Sequence, residues 1–391
     1  MHWRQALGFT DRLRTIQSLT TAYQRASSSI AFAEAQTQAR QLETEAYNQA
    51  TTKEEYDRIC QRAIDAAEVS VPEAGASVPE ELDDDSITVN WETGEQIGQY
   101  RACLHHFDGL HSTIYKTKNE SGSLIALKIT TPHLLEPPHD AQREAQLLQE
   151  AASEHVIPLL ETFKLDGGRF ILAFPFKKFD LETLLRRDML TAAQTKSVLR
   201  DMFSALASVH KSGIVHRDVK PANILLDSPG GPAYLADFGI AWREGSTNAE
   251  PTDKKITDVG TTCYRSPEVL FGLKEYGTAL DLWAAGCVAA EAVVVGHKQL
   301  FDAGPVGSDL SLIHSIFTTL GTPDEHIWPE TERLPDWGKI EFYKYPAKQW
   351  DEILQGASSN ARDLVRKLIC YESSQRLSAQ EALGHPYFSS C

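Results

Sequence analysis

The stretch "HRDVKPANILL" at 216–226, followed by "LADFGIA" at 235–241, decides the fold of this chain. It contains four side chains able to do chemistry, namely Asp218, Lys220, Asn223 and Asp237. An isolated aspartate in such a place could equally cap a helix or a turn. Together, however, the four keep the order and spacing of a catalytic loop followed by a metal-binding turn.

Two charged residues upstream and one motif downstream extend this set. Lys128 ends the β-type run "SLIALK", and Glu144 lies in the helical stretch "HDAQREAQLLQEAA", so the two side chains can form an ion pair. Alone, such a pair could be a surface salt bridge worth less than about 1 kcal/mol. Downstream, "SPE" at 266–268 ends the loop that begins at Asp237. It is improbable that all these residues would occur in this order by chance.

From about residue 96 to residue 388 the chain resembles the protein kinases. The resemblance implies an α+β, bilobal fold: a small β-rich lobe with one main helix, and a larger, mostly helical lobe. It also implies transfer of a phosphoryl group from ATP, a reaction that rests on positioning and charge neutralisation. The implied catalytic residues are Asp218, Lys220, Lys128 and Glu144. The implied ligands of Mg²⁺ are Asn223 and Asp237.

The individual roles follow from the same resemblance. Asp218 is expected to accept the proton of the attacking hydroxyl. Lys128, held by Glu144, is expected to neutralise the α- and β-phosphates. Lys220, two residues after Asp218, is typical of serine/threonine kinases and reaches the γ-phosphate. Serine or threonine is therefore the expected acceptor.

The stretch "AFPFKKFD" resembles the hinge between the two lobes. The resemblance implies that Phe174 guards a back pocket, while the Pro175 carbonyl and the Lys177 N–H contact adenine. Asp180 falls where this family often binds ribose, although capping of the helix "LETLL" explains it equally well. The ATP-binding residues implied in this way are Gly109, Ile114, Ala126, Lys128, Phe174, Pro175, Lys177, Asp180 and Leu225.

The segment "FDGLHSTIY" at 107–115 aligns with the glycine-rich loop of these kinases. The three glycine positions fall on Phe107, Gly109 and Ser112, so one glycine remains, and Ile114 forms the apolar roof over adenine. A residue other than glycine costs roughly 1–3 kcal/mol where a positive φ is forced. We therefore expect weakened, but not abolished, ATP binding.

Five pieces resemble the cyclin-dependent kinase branch: "PPHDAQRE", "GTTCYRSPEVL", "LDLWAAGCVAAE", "GTPDEHIWPE" and a long insertion between Gly296 and Trp350. In cyclin-dependent members an apolar residue two positions before the helix glutamate anchors the cyclin. Here that residue is Gln142, and burying its amide would remove water without an assured partner. A cyclin partner is therefore not expected.

The activation segment departs from this branch as well. Its members hold a phosphothreonine with three arginines, of which Arg143 and Arg217 are present, whereas the third position is Trp242 and the adjacent Arg243 is the candidate substitute. The threonine position is Ile256, and Thr257 comes one residue late, so activity without loop phosphorylation is expected. The activation-segment residues singled out, including the arginine expected to pair with Glu268, are Thr257, Thr261, Arg265, Glu268 and Arg376.

These departures together resemble the fungal single-subunit kinases that activate cyclin-dependent kinases. The expected substrate is thus a protein, in particular the activation loop of a cyclin-dependent kinase. One alternative is a cyclin-partnered kinase for Ser-Pro or Thr-Pro sites, because Arg265 matches the arginine that shapes the proline-selecting pocket of this branch and Gly260 can adopt the left-handed conformation beside it. Another is a pseudokinase or scaffold, which the depleted glycine loop favours.

Charge and cysteine content narrow the partners and the compartment. The 38 Lys and Arg against 54 Asp and Glu give a net charge of −16, which argues against nucleic-acid and membrane partners. The six cysteines form no C-x-x-C pair, which favours a reducing compartment, the nucleus or the cytoplasm. The apolar run at 282–296 is interrupted by Glu291 and predicts a buried helix. We expect a monomer.

Composition also divides the chain. Residues 1–69 contain no proline and predict a helical N-terminal extension, and residues 70–95 include an acidic, Pro/Gly/Ser-rich stretch typical of a linker. The kinase domain is expected at 96–388. Its parts are the N-lobe at 96–174, the hinge at 175–179 and the C-lobe at 180–388.

Overall fold

The computed structural model describes residues 52–69, 91–109, 112–131, 135–304 and 307–389, together with isolated positions between 15 and 50. Its contacts group into two units, Met1–Thr88 and Val89–Cys391. In the first unit, helix α1 spans Lys53–Val69, and Tyr56 in it is buried and donates to Glu43 Oε1 at 3.0 Å. The other predictions for the N-terminal extension, and those for the linker up to residue 90, lie outside the described residues.

The small lobe of the second unit is an antiparallel sheet in the order β1-β2-β3-β4-β6-β5. Its strands are β1 Glu95–Ile97, β2 Tyr100–Asp108, β3 Thr113–Lys118, β4 Leu124–Thr130, β5 Glu161–Lys164 and β6 Phe170–Pro175. Alternating apolar residues such as Ile125, Leu127 and Ile171 are buried on one face. The predicted domain start at residue 96 falls inside β1.

One long helix, α2 at Ala141–Glu150, packs in this lobe. It begins at Asp140, whose side chain accepts hydrogen bonds from the backbone N–H groups of Gln142 and Arg143. Its buried face includes Leu147 and Leu148, while Gln142 is exposed. The predicted small lobe with a sheet and one main helix is confirmed.

The large lobe is mostly helical. Its helices are α3 Leu181–Arg186, α4 Ala192–Lys211, α5 Pro267–Leu270, α6 Ala279–Val293, α7 Asp309–Leu320, α8 Trp350–Ile353, α9 Ser359–Leu368, α10 Ala379–Leu383 and α11 Pro386–Ser389. A small sheet of β7 Phe179–Asp180, β8 Ile224–Leu226 and β9 Ala233–Leu235 carries the loops between α4 and α5. The bilobal α+β fold is thus confirmed.

Helix α6 is the centre of the large lobe. Nearly all of its side chains are buried, from Leu280 to Ala292, and α9 and α4 pack against it. The apolar run at 282–296 therefore contributes a core helix, as its interruption by Glu291 predicted. Among the described residues, none of the helices combines the length and hydropathy that a bilayer crossing demands.

Candidate active site

The catalytic loop is tied to helix α6 through a buried aspartate. Asp281 Oδ2 accepts hydrogen bonds from His216 N at 2.8 Å and His210 Nε2 at 2.9 Å, and Oδ1 accepts one from Arg217 N at 2.8 Å. Burial raises the pKa of this carboxyl, but these donors more than offset it and hold the pKa below its ordinary value. Arg217 adopts a φ of 71°, a strained conformation that these bonds stabilise.

Asp281 received no role in the sequence analysis. The available signal was an acid in an otherwise apolar helix, "LDLWAAGCVAAE", which had served only to indicate the branch. A carboxylate inside such a run must find donors or lose its charge. Here the donors are two backbone N–H groups of the catalytic loop and the side chain of His210.

The expected catalytic base lies in a compact polar group. Asp218 Oδ1 accepts hydrogen bonds from Thr261 N at 3.1 Å and from Thr261 Oγ1 at 2.9 Å. Lys220 Nζ lies 2.8 Å from both Asp218 Oδ2 and Thr261 Oγ1. Asn223 Nδ2 donates to Asp218 Oδ2 at 3.0 Å. Thr261 therefore links the activation segment to the catalytic loop.

The expected phosphate-binding lysine joins both lobes. Lys128 Nζ, on β4, lies 2.7 Å from Glu144 Oε1 on α2 and 2.7 Å from Asp237 Oδ1. Burial lowers the pKa of the lysine, but the carboxylates of Asp237 and Glu144 raise it above its ordinary value overall. Lys128 therefore stays charged, as a ligand of phosphate oxygens must.

Asp237 adopts a φ of 60°, which is uncommon for a residue other than glycine. Desolvation raises the pKa of its carboxyl, but the Lys128 ammonium outweighs this and holds the pKa below its ordinary value. Since Asn223 uses its amide nitrogen to reach Asp218, its amide oxygen is available for another ligand. An ionised carboxylate and an amide oxygen fit Mg²⁺.

Within the described residues there is no group of three or more His, Cys, Asp or Glu side chains that could hold a metal ion by themselves. Mg²⁺ is commonly bound by one or two carboxylates together with the phosphates of a nucleotide, and Asp237 with Asn223 would supply the protein's share of its ligands. Bound there, it would neutralise phosphate charge.

The glycine loop differs from the expectation in one respect. Gly109 does not have a positive φ, and its N–H donates to Ser112 O at 2.8 Å within the hairpin of β2 and β3. A Cβ on Gly109 would lie 3.2 Å from that same oxygen, so close approach, rather than a positive φ, favours glycine here. Phe107 is 60% exposed and pairs with Ile114 across the strands.

The hinge residues lie on neighbouring strands. Phe174 of β6 pairs with Ala126 of β4, and Leu225 of β8 pairs with Asp180 of β7. Both carboxylate oxygens of Asp180 accept hydrogen bonds from Thr183, so Asp180 caps α3, which was one of its two predicted roles. Pro175 ends β6.

The side chain of hinge residue Lys177 turns towards the large lobe. Its Nζ lies 2.8 Å from Asp227 Oδ1 and 3.8 Å from the ring centre of Tyr234. The predicted adenine contact uses only the Lys177 backbone N–H, so this pairing is compatible with it. The ATP-binding roles of all these residues remain predictions.

The end of the activation segment is anchored twice. Arg265 Nε donates to Gly260 O at 3.0 Å, and Gly260 has a φ of 79° with Arg217 O only 2.9 Å from a would-be Cβ, so glycine is required there. Glu268 and Arg376 form two hydrogen bonds of 2.7 Å and are both buried. This bidentate geometry is the strong form of an ion pair.

The expected arginine group is rebuilt. The expectation that Arg243 substitutes for the third arginine is wrong, because its Nη2 donates to Glu150 Oε1 of α2 at 3.0 Å. Arg217 Nη1 instead lies 3.1 Å from Glu250 Oε1, and Arg143 Nη1 lies 4.0 Å from Glu250 Oε2. Glu250 is a residue that the sequence analysis missed, since nothing in its loop marks it.

The two residues at the expected phosphorylation position, Ile256 and Thr257, are held by contacts with the rest of the protein. Ile256 packs partly buried against the core, and its carbonyl accepts a hydrogen bond from Tyr276 at 2.5 Å. Thr257 lies half-buried, with its carbonyl bonded to Val259 N at 2.9 Å.

Comparison with known proteins agrees with this geometry. The family described as "Protein kinase domain" matches residues 108–388. Cyclin-dependent kinase 20 of Danio rerio is 37% identical over 296 residues, which cover 74% of this chain and 83% of the relative. Serine/threonine-protein kinase csk1 of Schizosaccharomyces pombe is 36% identical, over 69% of this chain and 88% of the relative.

A plant protein is similar to the same extent. Cyclin-dependent kinase D-1 of Oryza sativa subsp. indica is 35% identical over 288 residues, covering 72% of this chain and 65% of the relative. ATP and Mg²⁺ are the cofactors that the kinase domain implies. The chain therefore belongs to the protein kinase family, as a serine/threonine kinase of the cyclin-dependent kinase-like branch.

Proposed function

We propose that this kinase is active without a cyclin and that its substrates are the activation loops of cyclin-dependent kinases. One observation carries the first part: the chain's own activation segment binds the outer face of helix α2. A kinase of this branch must hold that helix so that its glutamate meets the β4 lysine. Here intramolecular contacts supply the hold.

Four residues of α2 and its cap take part, and each binds segment 243–248. Thr247 donates to Gln146 Oε1 through its N–H at 3.2 Å and through its hydroxyl at 2.9 Å. Asn248 Nδ2 donates to Asp140 Oδ2 at 2.7 Å. The contacts that continue along the helix are Arg143 Nη1 to Asn248 O at 3.0 Å and Arg243 Nη2 to Glu150 Oε1 at 3.0 Å.

These contacts run from the cap of α2 to its last residue. Between them lies Glu144, which meets Lys128 at 2.7 Å. The exposed Gln142 offers a partner an amide instead of an apolar side chain. Both features support activity of the single chain.

The test is phosphate transfer by the purified full chain, with Mg-ATP and without cyclin. The substrate is a cyclin-dependent kinase whose own catalytic aspartate is replaced by asparagine. We expect phosphate on the activation-loop threonine of the substrate, and no transfer by the Asp218→Asn variant. Transfer to a generic basic protein but not to this substrate would remove the proposed substrate. A rate of phosphate transfer that rises tenfold or more when cyclin is added would contradict activity without a cyclin.

A preference for proline after the acceptor is a second proposal, which the geometry of Gly260 and Arg265 supports. The left-handed φ of 79° at Gly260 turns its carbonyl to Arg265, so that carbonyl is not offered to a substrate N–H. Proline, which lacks the N–H, loses nothing there. Matched peptides with Ser-Pro and Ser-Ala test this through kcat/KM, and equal values contradict it.

A further inference from the structure

We propose that Glu250 supplies, from within the chain, the negative charge that holds Arg143 and Arg217, so that the activation segment needs no phosphate. Glu250 is then a positioning residue for the kinase reaction. The inference requires only kinase activity and is independent of the protein substrate.

The location of the carboxylate is the first argument. Oε1 lies 3.1 Å from Arg217 Nη1, and Oε2 lies 4.0 Å from Arg143 Nη1. The side chains of Arg217, Arg143 and Glu250 are 0%, 3% and 13% exposed. Buried guanidinium groups without an anion are costly, and in this part of the structure Glu250 is the carboxylate placed between them.

The place of the family's third arginine gives a second argument. It is held by Trp242, whose Nε1 donates to the Glu250 carbonyl at 2.9 Å and so fixes the backbone of the glutamate. The same ring faces Lys255 Nζ at 4.5 Å and the Arg217 guanidinium at 5.9 Å. Trp242 therefore orients the anion and contacts the cations at once.

Lys255 completes the group. It is buried, and its Nζ donates to the backbone carbonyls of Thr252 at 2.9 Å and Tyr276 at 2.8 Å. The Tyr276 ring lies 5.1 Å from Lys255 Nζ and 5.3 Å from the Arg217 guanidinium. Lys255 and Arg217 thus share the Trp242 and Tyr276 rings, and Arg217 in turn lies 3.1 Å from the Glu250 carboxylate.

The consequence for catalysis follows from chain connectivity. Arg143 directly precedes Glu144, which holds Lys128, and Arg217 directly precedes Asp218. One carboxylate therefore bridges the helix that supplies the ion pair and the loop that supplies the catalytic aspartate. Loss of Glu250 should misplace Asp218 and Glu144 in the reacting complex, which lowers kcat more than it raises KM for ATP.

The phosphorylation position supports the same reading. Ile256 has no hydroxyl to phosphorylate and packs against the core. Its carbonyl is bound by Tyr276, the residue that also contacts Arg217. The segment is thus anchored on both sides of the arginines, at Glu250 and at Ile256.

The experiment compares the full chain with Glu250→Gln, which removes the charge and keeps the shape. We expect kcat to fall about 10- to 100-fold, with KM for ATP changed less than about threefold. Glu250→Asp should recover part of kcat. Glu244→Gln is the matched control, because Glu244 lies exposed in the same segment, accepts a hydrogen bond from Thr252 and should leave kcat unchanged.

Two further readouts separate positioning from general stability. In the double variant Glu250→Gln with Arg143→Gln, the loss of kcat should be smaller than the two single losses combined, because the second change removes an arginine already without its anion. The wild-type chain treated with phosphatase and shown by intact mass to carry no phosphate should keep its kcat. Loss of kcat on dephosphorylation, or a Glu250→Gln variant with kcat within twofold of wild type, overturns the proposal. The proposal is also overturned if kcat falls in parallel with the melting temperature in every variant and the double variant shows no coupling between Glu250 and Arg143.

Discussion

The catalytic centre of this molecule keeps the residue types expected of a kinase, whereas the arginine group of the activation segment does not. At the centre, Lys128, Glu144 and Asp237 form ion pairs of 2.7 Å, and every residue type expected of a kinase is present. At the arginine group, the third arginine is Trp242 and the phosphate position is Ile256, while the charge comes from Glu250.

The difference lies in what each region must bind. The centre meets a substrate that does not vary, a triphosphate with Mg²⁺, and few side chains can neutralise and orient it. The arginine group meets only the chain itself. A buried anion can pair with a guanidinium group whichever residue carries it, so several residue types can fill this place. The chemistry at the centre restricts which residue types can serve there, whereas internal contacts restrict only charge and shape.

The largest effect should come from the centre. Asp218→Asn keeps the size of the side chain and an oxygen for Thr261, but removes the base, so kcat should fall about 10²- to 10⁴-fold. Steady-state kinetics with a protein substrate measure this. Asp253→Asn, an exposed aspartate in the activation segment, is the control and should be neutral. A loss below tenfold in Asp218→Asn would break the assignment of the catalytic centre.

A second variant tests the buried ion pair between Glu268 and Arg376 at the far end of the activation segment. Arg376→Met leaves the buried Glu268 carboxylate without its bidentate partner and should lower the free energy of unfolding by about 3–5 kcal/mol. Chemical denaturation measures the change. The surface pair of Arg333 with Glu275, 60% and 53% exposed, is the matched control, and Arg333→Met should cost less than about 1 kcal/mol. Equal costs would contradict the claim that burial sets the value of the pair.

The pH dependence of stability tests whether His216 of the catalytic loop is buried as a neutral side chain. His216 Nε2 lies 3.0 Å from Ala236 O, while Nδ1 accepts from Asp218 N at 3.3 Å, so the ring is neutral in the fold. Burial lowers its pKa, and the carboxylates of Asp281 and others only partly counteract this. The unfolded chain, with an ordinary pKa of about 6.5, therefore takes up the proton first, and stability falls as pH drops below that value.

From this group we expect a loss of up to about 1.4 kcal/mol per pH unit between the unfolded and the folded pKa, and none above pH 7. Denaturation of wild type and His216→Gln at pH 7.5 and pH 5.5 isolates the effect, because other acids contribute to both proteins. The wild type should lose more stability than the variant over this interval. An equal loss would mean that the imidazole is protonated in the folded state.

The smallest effect should come from the glycine loop. Gly109 lies outside the left-handed region, and a Cβ would need a shift of only a few tenths of an ångström at Ser112 O. Gly109→Ala should therefore raise KM for ATP less than about threefold and leave kcat unchanged. Gly260→Ala is the contrasting change, because its φ of 79° and the contact at 2.9 Å forbid a side chain. A tenfold rise in KM for Gly109→Ala would show that its N–H leaves Ser112 to bind phosphate.

Much of the site could be read from residue types and spacing. The motif around Asp218 and Asp237 predicted the lobes, and "SPE" with Arg376 predicted the pairing of Glu268. Asp180 kept two readings, because helix capping and ribose binding both call for a carboxylate at the same position. The roles of Asp281 and Glu250 were not predicted, because Asp281 lies in an apolar helix and Glu250 in an aperiodic loop. The partners of both residues are distant in sequence.

Taken alone, the sequence determined which reaction this chain carries out, because Mg²⁺ and phosphate accept only a few types of side chain in a set order. Tertiary structure decided how the activation segment is held. Arg243 turned to Glu150, and Glu250 came to lie beside Arg217. A charged side chain in a loop has several candidate partners, including some that are distant along the chain. Only the packing of helix α2, the catalytic loop and the segment against one another selects among them.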